Sequence, residues 1–178
     1  SDTAGGADTY AKIATSVNTP VIHVLNIDNV EIAGLILEGD SAGGSTHHGI
    51  YLDNSSNDSI NLVQVYRAMS GIRLSGSETN SIVSSILSRN QEGILLVSSS
   101  QNNTIVSDTL VGNDSVGIPM EGGSSGNAVR SNVIVSGNNG IHAATASNVI
   151  VNNVISGNRG FGAQLNGVTF GRYLTSQG

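Results

Sequence analysis

A repeat of about 22 residues is the feature that most limits what this chain can fold into. One unit runs from Gly71 to Asn90, GIRLSGSETNSIVSSILSRN, and the same order of residue types begins again at Gly93. Each unit opens on glycine and a large apolar residue, passes through small polar residues, and closes on asparagine. The opening apolar positions are Ile22, Ile50, Ile72, Ile94, Ile118, Ile141 and Phe161.

A second apolar position follows the first by nine to eleven residues in every unit. These positions are Ile32, Ile60, Ile82, Ile105, Val129, Ile150 and Phe170. Units that recur at a fixed period stack, because each can bury its apolar face only against its neighbours. The pattern predicts one solenoid domain over 20–178. Residues 1–19 are expected to form an arm or a short cap, and Asp8–Val17 has apolar residues at helical spacing.

Two kinds of solenoid have this period. Leucine-rich repeats need a leucine-dominated pattern and a helical segment in most units. Here each unit offers short runs rich in β-branched residues between glycine, asparagine and serine clusters, such as Ile72–Ser75 and Ser81–Val83, which indicates strands. The sequence therefore predicts an all-β, single-stranded parallel β-helix of about seven coils. The handedness rule for parallel crossovers favours the right-handed form.

Asparagine recurs at two places in the unit. One column lies two or three residues before the second apolar position and contains Asn29, Asn57, Asn80, Asn103, Asn127 and Asn148. The other precedes the next unit and contains Asn90, Asn113, Asn138 and Asn158. Asparagine tolerates left-handed backbone and bonds nearby main chain. We expect these side chains to stack at the turns as asparagine ladders.

The order Gly-Ile-x-Leu, Asn-x-Ile, Asn, Gly-Ile resembles the right-handed β-helix repeat of the NosD-like, carbohydrate-binding and sugar-hydrolase group. That group lies within the pectate-lyase-like superfamily. The segment TPVIHVLNIDNVEIAGLILEGD resembles the first full coil of such proteins, and the resemblance covers about 20–170. It is specific for the fold and weak for the activity, because the repeated residues build the coil.

Alternation along the first strand of each coil places one column of side chains on the outer face. The column contains His23, Tyr51, Arg73, Leu95, Pro119, His142 and Gly162. A parallel column contains Leu25, Asp53, Ser75, Val97, Glu121, Ala144 and Gln164. His23, Tyr51 and Arg73 should therefore lie on three successive rungs, with Asp53 beside Tyr51.

The resemblance implies a use for these residues, because sugar-acid lyases and epimerases of the superfamily work on such a sheet face. Arg73 would hold a uronate carboxylate, and His23 or Tyr51 would do acid–base work with Asp53 orienting one of them. The competing interpretation is a solvated polar face whose residues happen to stack. Leu95 and Pro119 interrupt the column and favour that interpretation.

Further candidates for substrate binding are His47 and His48, which end the one long insertion, and Glu121 and His142, on neighbouring rungs. Adjacent side chains on an extended segment point to opposite faces, so His47 and His48 are not expected to share a metal ion. No metal site and no cofactor are predicted.

Charge and composition restrict the partners. The net charge is −6 and Lys12 is the only lysine, which argues against nucleic acid. No apolar run is long enough for membrane insertion. The lysine-poor surface, rich in serine, threonine and asparagine, is typical of extracellular or cell-surface proteins.

Three functions follow. The favoured one is an extracellular structural or adhesive module, a rod in a surface filament, stalk or cell-wall protein, whose open ends stack on other copies. The second is a polysaccharide lyase, epimerase or hydrolase acting on an acidic polysaccharide, and the third is a non-catalytic glycan-binding module. The short chain and lean turns favour the first over an enzyme.

Overall fold

The computed structural model describes residues 11–14, 19–39, 47–166 and 169–170. These residues form three parallel β-sheets of seven strands each. Sheet A contains β1 (Ala11–Ala14), β4 (Leu35–Glu38), β7 (Gln64–Tyr66), β10 (Ile86–Ser88), β13 (Thr109–Val111), β16 (Val133–Val135) and β19 (Val154–Ser156). Within the described ranges there is no helix, and so none that would cross a membrane.

Sheets B and C have the same number of strands. Sheet B contains β2 (Ile22–Leu25), β5 (His48–Asp53), β8 (Ser70–Ser75), β11 (Glu92–Val97), β14 (Val116–Met120), β17 (Asn139–Ala143) and β20 (Ala163–Leu165). Sheet C contains β3 (Glu31–Ala33), β6 (Ser59–Asn61), β9 (Ser81–Val83), β12 (Thr104–Val106), β15 (Ala128–Arg130), β18 (Val149–Val151) and β21 (Thr169–Phe170).

The chain runs through sheets B, C and A in turn, and each strand pairs with the equivalent strand of the next coil. The register follows the sequence repeat, with Ile50 opposite Ile72 and Ile72 opposite Ile94. This confirms the predicted parallel β-helix. A shift of one residue would turn every inward apolar side chain outward, so the apolar pattern fixes the register.

The core is a continuous apolar column inside the coils. In the coil that begins with β8, the side chains of Ile72, Leu74, Ile82 and Leu87 are fully buried, and they come from all three sheets. Equivalent residues of the neighbouring coils pack above and below them. Burial of apolar surface on every coil stabilises the stack by about 25 cal/mol per Å².

Glycine precedes the first inward residue because the corner between sheets A and B is crowded. A methyl group on Gly71 would lie 2.8 Å from the carbonyl oxygen of Gly93 and 3.0 Å from a methyl of Leu87. Gly93, Gly117 and Gly140 are equally confined. No side chain fits there without displacing the next coil.

Asparagine ladders join the coils at the turns, as predicted. Between sheets B and C, the Oδ1 atom of Asn103 accepts the amide N–H of Asn80 at 2.9 Å, and Asn127 accepts that of Asn103 at 2.9 Å. Between sheets A and B, Asn113 accepts the amide of Asn90 at 3.1 Å. Because the amides lie in turns, these side chains satisfy donors that no sheet pairs.

Three asparagines were placed wrongly in these ladders. Asn29 and Asn57 lie at exposed corners with positive φ, at 62° and 59°. In each of these coils the next residue, Val30 or Asp58, holds the ladder position. The Oδ1 atom of Asp58 accepts the amide of Val30 at 2.7 Å. Asn138 is also outside its ladder, because Gly137 takes that position and donates to Asn158 at 2.9 Å.

A third ladder, between sheets C and A, was not predicted. It contains Ser85, Asp108, Asn132 and Asn153. Serines form a further line, in which the hydroxyls of Ser77 and Ser100 accept the amides of Ser55 and Ser77. Mixed residue types hide these ladders, because serine, aspartate and asparagine all present an oxygen to the preceding coil.

Two details at the ends differ from the expectations. The last coil pairs Ala163 with Ile141 and Gln164 with His142, so Phe161, Gly162 and Gln164 were assigned to the wrong columns. The sequence there offers two glycine–apolar steps, and the second keeps the 22-residue spacing from Ile141. Near the start, Ala11–Ala14 is a strand paired with β4 rather than a helical turn. The division into 1–19 and 20–178 stays a prediction.

Candidate functional site

Five of the predicted residues lie together on sheet B. His23 on β2 pairs with Tyr51 on β5, and Tyr51 pairs with Arg73 on β8. Asp53 lies two residues beyond Tyr51 on the same face, and His48 begins the same strand. We call these five residues the histidine–arginine patch.

Tyr51 is the centre of the patch and is covered on both ring faces. The His23 ring stacks on it with centroids 4.7 Å apart and planes 7° from parallel. From the next strand on the other side, the Cζ atom of Arg73 lies 5.2 Å from the Tyr51 centroid, a cation–π distance. A sugar ring therefore cannot stack on Tyr51, whose faces are already occupied.

His48 is buried and holds the guanidinium of Arg73. Its Nε2 lies 3.5 Å from Nη1 of Arg73, a long contact in which arginine can only donate. The Nε2 atom is therefore the acceptor, and the ring proton belongs on Nδ1. Burial, and then the positive charge of Arg73, lowers the pKa of His48 to about 4. The imidazole is neutral at neutral pH and does not oppose the arginine.

Arg73 keeps one edge of its guanidinium unused. It forms no ion pair within the described part of the chain, and its buried Nε has no hydrogen-bond partner there. Since Nη1 faces His48, the edge formed by Nε and Nη2 faces a different direction. Because Nε is buried, a carboxylate arriving from outside the sheet would meet Nη2 rather than Nε.

Asp53 and His23 form a loose charged pair at the rim of the patch. The Oδ2 atom of Asp53 is 3.6 Å from Nε2 of His23, beyond a direct hydrogen bond, and both side chains are partly exposed. The predicted neighbourhood of Asp53 and Tyr51 is therefore present, with His23 as the nearer ionisable partner.

Glu92 is a neighbour of the patch that sequence reasoning missed. It lies on β11, and its carboxylate accepts the hydroxyl of Ser70 at 2.9 Å. Burial raises the pKa of Glu92, and the bond from Ser70 opposes that rise. His48, Ser70 and Glu92 are paired in register, so the 22-residue step from Ser70 was the available signal.

The second predicted group lies apart from the patch. The Nδ1 atom of His142 is 3.2 Å from Oε1 of Glu121, so these two side chains do meet. Buried Leu95 and then Pro119 separate His142 from Arg73 along the outer column. The site residues therefore form two places on the face rather than one.

The side chain of His47 makes no hydrogen bond to the patch in the part of the chain that the structure describes. Its side chain is buried, its Nε2 has no hydrogen-bond partner, and its carbonyl accepts the amide of Met69 at 2.7 Å. It fixes the return of the chain into sheet B through its main chain.

The comparisons identify a family. A family model described as periplasmic copper-binding protein (NosD) matches residues 6–170. Among curated proteins, none matches the chain.

The described residues do not fit a copper ion. No group of three or more histidine, aspartate or glutamate side chains there is close enough to hold a metal, and the chain has no cysteine. His48, the buried histidine of the patch, directs Nε2 at a guanidinium, and a second cation at that atom would be repelled. Copper sites prefer imidazole or sulfur ligands in a shared shell.

Proposed function

The chain belongs to the NosD family, and we propose that it is a structural or adhesive β-helix module that works outside the cytoplasm. The family description names the periplasm, which supports that location in a coarse sense. The observation that carries the proposal is the unbroken register of three parallel sheets along the described coils. Such a stack is stiff, because bending it would break ladders and sheets together.

The partner in this proposal is another copy of the chain. Each coil repeats the same path through three sheets, so a coil of one copy has nearly the outline of a coil of another. A head-to-tail contact between such coils is heterologous and continues into a fibre unless the rotation closes it. The face-exposed residues would then be available for adhesion along the fibre.

We expect the purified protein to assemble into longer particles as its concentration rises. Negative-stain electron microscopy and sedimentation velocity over a concentration series should show unbranched threads at the upper end and short particles at the lower end. Arg73→Ala is the matched control, since it changes the side of the rod and should leave thread formation intact. A single sedimenting species at every concentration would refute end-to-end assembly.

A second candidate is binding of an acidic polysaccharide at the histidine–arginine patch. The observation in its favour is the unused edge of Arg73, held in place by neutral His48 and Tyr51. The whole chain has a net charge of −6, so an anionic polysaccharide is repelled by the protein overall and would have to bind at a cation such as Arg73. Lyase or epimerase chemistry on the bound uronate would fall to His23 and Tyr51.

Arg73→Ala should reduce binding to a polyuronate at least about tenfold, which corresponds to about 1.4 kcal/mol. Arg73→Lys should recover only part of the affinity, because an ammonium has no planar pair of donors. Calorimetric titration with oligogalacturonate and oligomannuronate measures both. Arg130→Ala, which removes an exposed arginine from sheet C, is the control. Equal losses at both arginines would mean non-specific attraction.

A further inference from the structure

Asp108 occupies a position in the third ladder that suits an amide. Its Oδ1 accepts the amide of Ser85 at 2.7 Å, and its own amide donates to Oδ1 of Asn132 at 2.8 Å. The next members repeat this arrangement, since Asn132 donates its amide to Asn153 at 2.9 Å. Asp108 thus performs the acceptor half of the ladder in the same way as an asparagine.

The other half of the ladder needs a donor. The Nδ2 atom of Asn132 donates to the carbonyl of Ile105 at 3.0 Å, and Nδ2 of Asn153 donates to that of Val129 at 2.9 Å. Ile82 is the register partner of Ile105, so the equivalent acceptor for Asp108 is the carbonyl of Ile82. The Oδ2 atom of Asp108 is buried and has no partner. If the carboxyl group of Asp108 were ionised, its Oδ2 atom and the carbonyl oxygen of Ile82 would face each other as two acceptors with no proton between them.

We propose that Asp108 keeps a proton on Oδ2 in the folded chain and donates it to the carbonyl oxygen of Ile82, which makes the stability contributed by this ladder depend on that proton.

The surroundings of Asp108 contain no charge that would offset ionisation. The two ladder neighbours, Ser85 and Asn132, do not titrate. Within two residues of these three ladder positions the only charged side chain is Arg130, which is exposed on the outer face of sheet C. Burial raises the pKa of Asp108 to about 7, although the backbone hydrogen bonds of Ser85 and Val106 to the carboxylate lower it.

Asp58 repeats the feature in the first ladder. Its Oδ1 accepts the amide of Val30 at 2.7 Å, while its buried Oδ2 has no partner. In the following coil the position of Oδ2 is taken by the side-chain nitrogen of Asn80, and this Nδ2 atom donates to the carbonyl of Ser55 at 3.0 Å. Burial raises the pKa of Asp58, the Val30 amide lowers it, and the charge of Asp28 raises it further. Two ladders therefore each contain one carboxyl in an amide position.

The pH dependence has a definite sign. The folded pKa of Asp108 is raised from 3.8 to about 7, so folding takes up a proton between these values. The stabilisation is complete below pH 3.8 and is lost as the pH rises through 7. Through Asp108 alone the unfolding constant should rise by about tenfold per pH unit in that window, about a thousandfold in total, and then level off. The lowered pKa of His48 acts in the opposite sense between 6.5 and about 4, so the comparison with a variant at Asp108 isolates the Asp108 contribution.

Urea unfolding of the wild type and Asp108→Asn from pH 4 to pH 9 tests the proposal. We expect the two proteins to differ little at pH 4, and the variant to have the smaller unfolding constant at pH 8, by up to about a thousandfold. Asp114→Asn, at an exposed position, should follow the wild type at every pH. A variant whose unfolding constant keeps the wild-type pH dependence, or exceeds the wild type at pH 8, would overturn the proposal.

A measurement on the unmodified protein removes the dependence on the variant. The side-chain carboxyl carbon of Asp108, followed by NMR in labelled protein, should titrate near neutral pH. A titration at the ordinary value for aspartate would show an ionised ladder carboxylate and would also overturn the proposal.

Discussion

Asn127→Ala should lower the free energy of unfolding by about 3 to 5 kcal/mol, because it leaves several buried polar groups unpaired. The Oδ1 atom of Asn127 accepts two hydrogen bonds from Asn103, one from the backbone amide at 2.9 Å and one from the side-chain Nδ2 at 3.0 Å. The Nδ2 atom donates to the carbonyl of Ser100 at 3.0 Å and to Asn148 at 3.1 Å. Alanine removes all four bonds, and water has no route to the turn, where Asn127 is 0% exposed.

Thermal unfolding followed by circular dichroism measures this loss, which should lower Tm by about 10 °C. Asn61→Ala is the control. That side chain lies on the outer face of sheet C and makes only long contacts to Glu31 and Ser59, of 3.4 and 3.5 Å. Its loss should cost under about 0.5 kcal/mol. If the two variants unfolded at the same temperature, the ladder would contribute little to stability.

Gly93→Ala should lower the free energy of unfolding by about 3 kcal/mol, because Gly93 lies at the crowded corner between sheets A and B. An added methyl group would overlap the carbonyl oxygen of Gly117 and the Cδ2 atom of Leu110. The Gly117 oxygen belongs to the backbone of the next coil, so relief requires that coil to move away. Movement of one coil disturbs the sheet and both ladders on that side.

Gly162→Ala separates this steric effect from a general effect of replacing glycine. Gly162 lies opposite Gly140 in the same column, but among the described residues a methyl group there would meet only Ile155, at an ordinary 3.7 Å. Denaturant unfolding should give Gly162→Ala nearly wild-type stability. A large loss at Gly162, or none at Gly93, would disprove the crowding argument.

The fold could be predicted from the sequence because inward residues repeat at a constant spacing. Ile72, Ile94 and their equivalents mark one strand per coil, and the register follows once that strand is located. The register of the last coil was not predicted correctly, because Gly160 and Gly162 both start a glycine–apolar pair and only the stacking on the previous coil decides between them. The third ladder escaped because Ser85, Asp108 and Asn132 share an oxygen acceptor and no residue type.

The candidate site was partly predictable for the same reason. Period and alternation place His23, Tyr51 and Arg73 on successive rungs of one face. They do not give the burial of His48, which depends on how neighbouring side chains cover the start of β5. Nor do they reveal that both faces of the Tyr51 ring are covered, because that depends on the rotamers of His23 and Arg73. The roles of these residues in binding or catalysis remain predictions.

The constant register has a consequence for how such a chain can change in length. Gly71 and Gly93 occupy the same corner of successive coils, and 22 residues separate them. Excising one such block, or duplicating it, would join positions that already have the same backbone direction and the same neighbours. A gain or loss of another size has to be taken up in a turn, as in the 24-residue step from Ile94 to Ile118, because a one-residue shift inside a strand would turn its inward residues outward. The rod can therefore be lengthened or shortened most simply by whole coils, because the register of the three sheets is then kept.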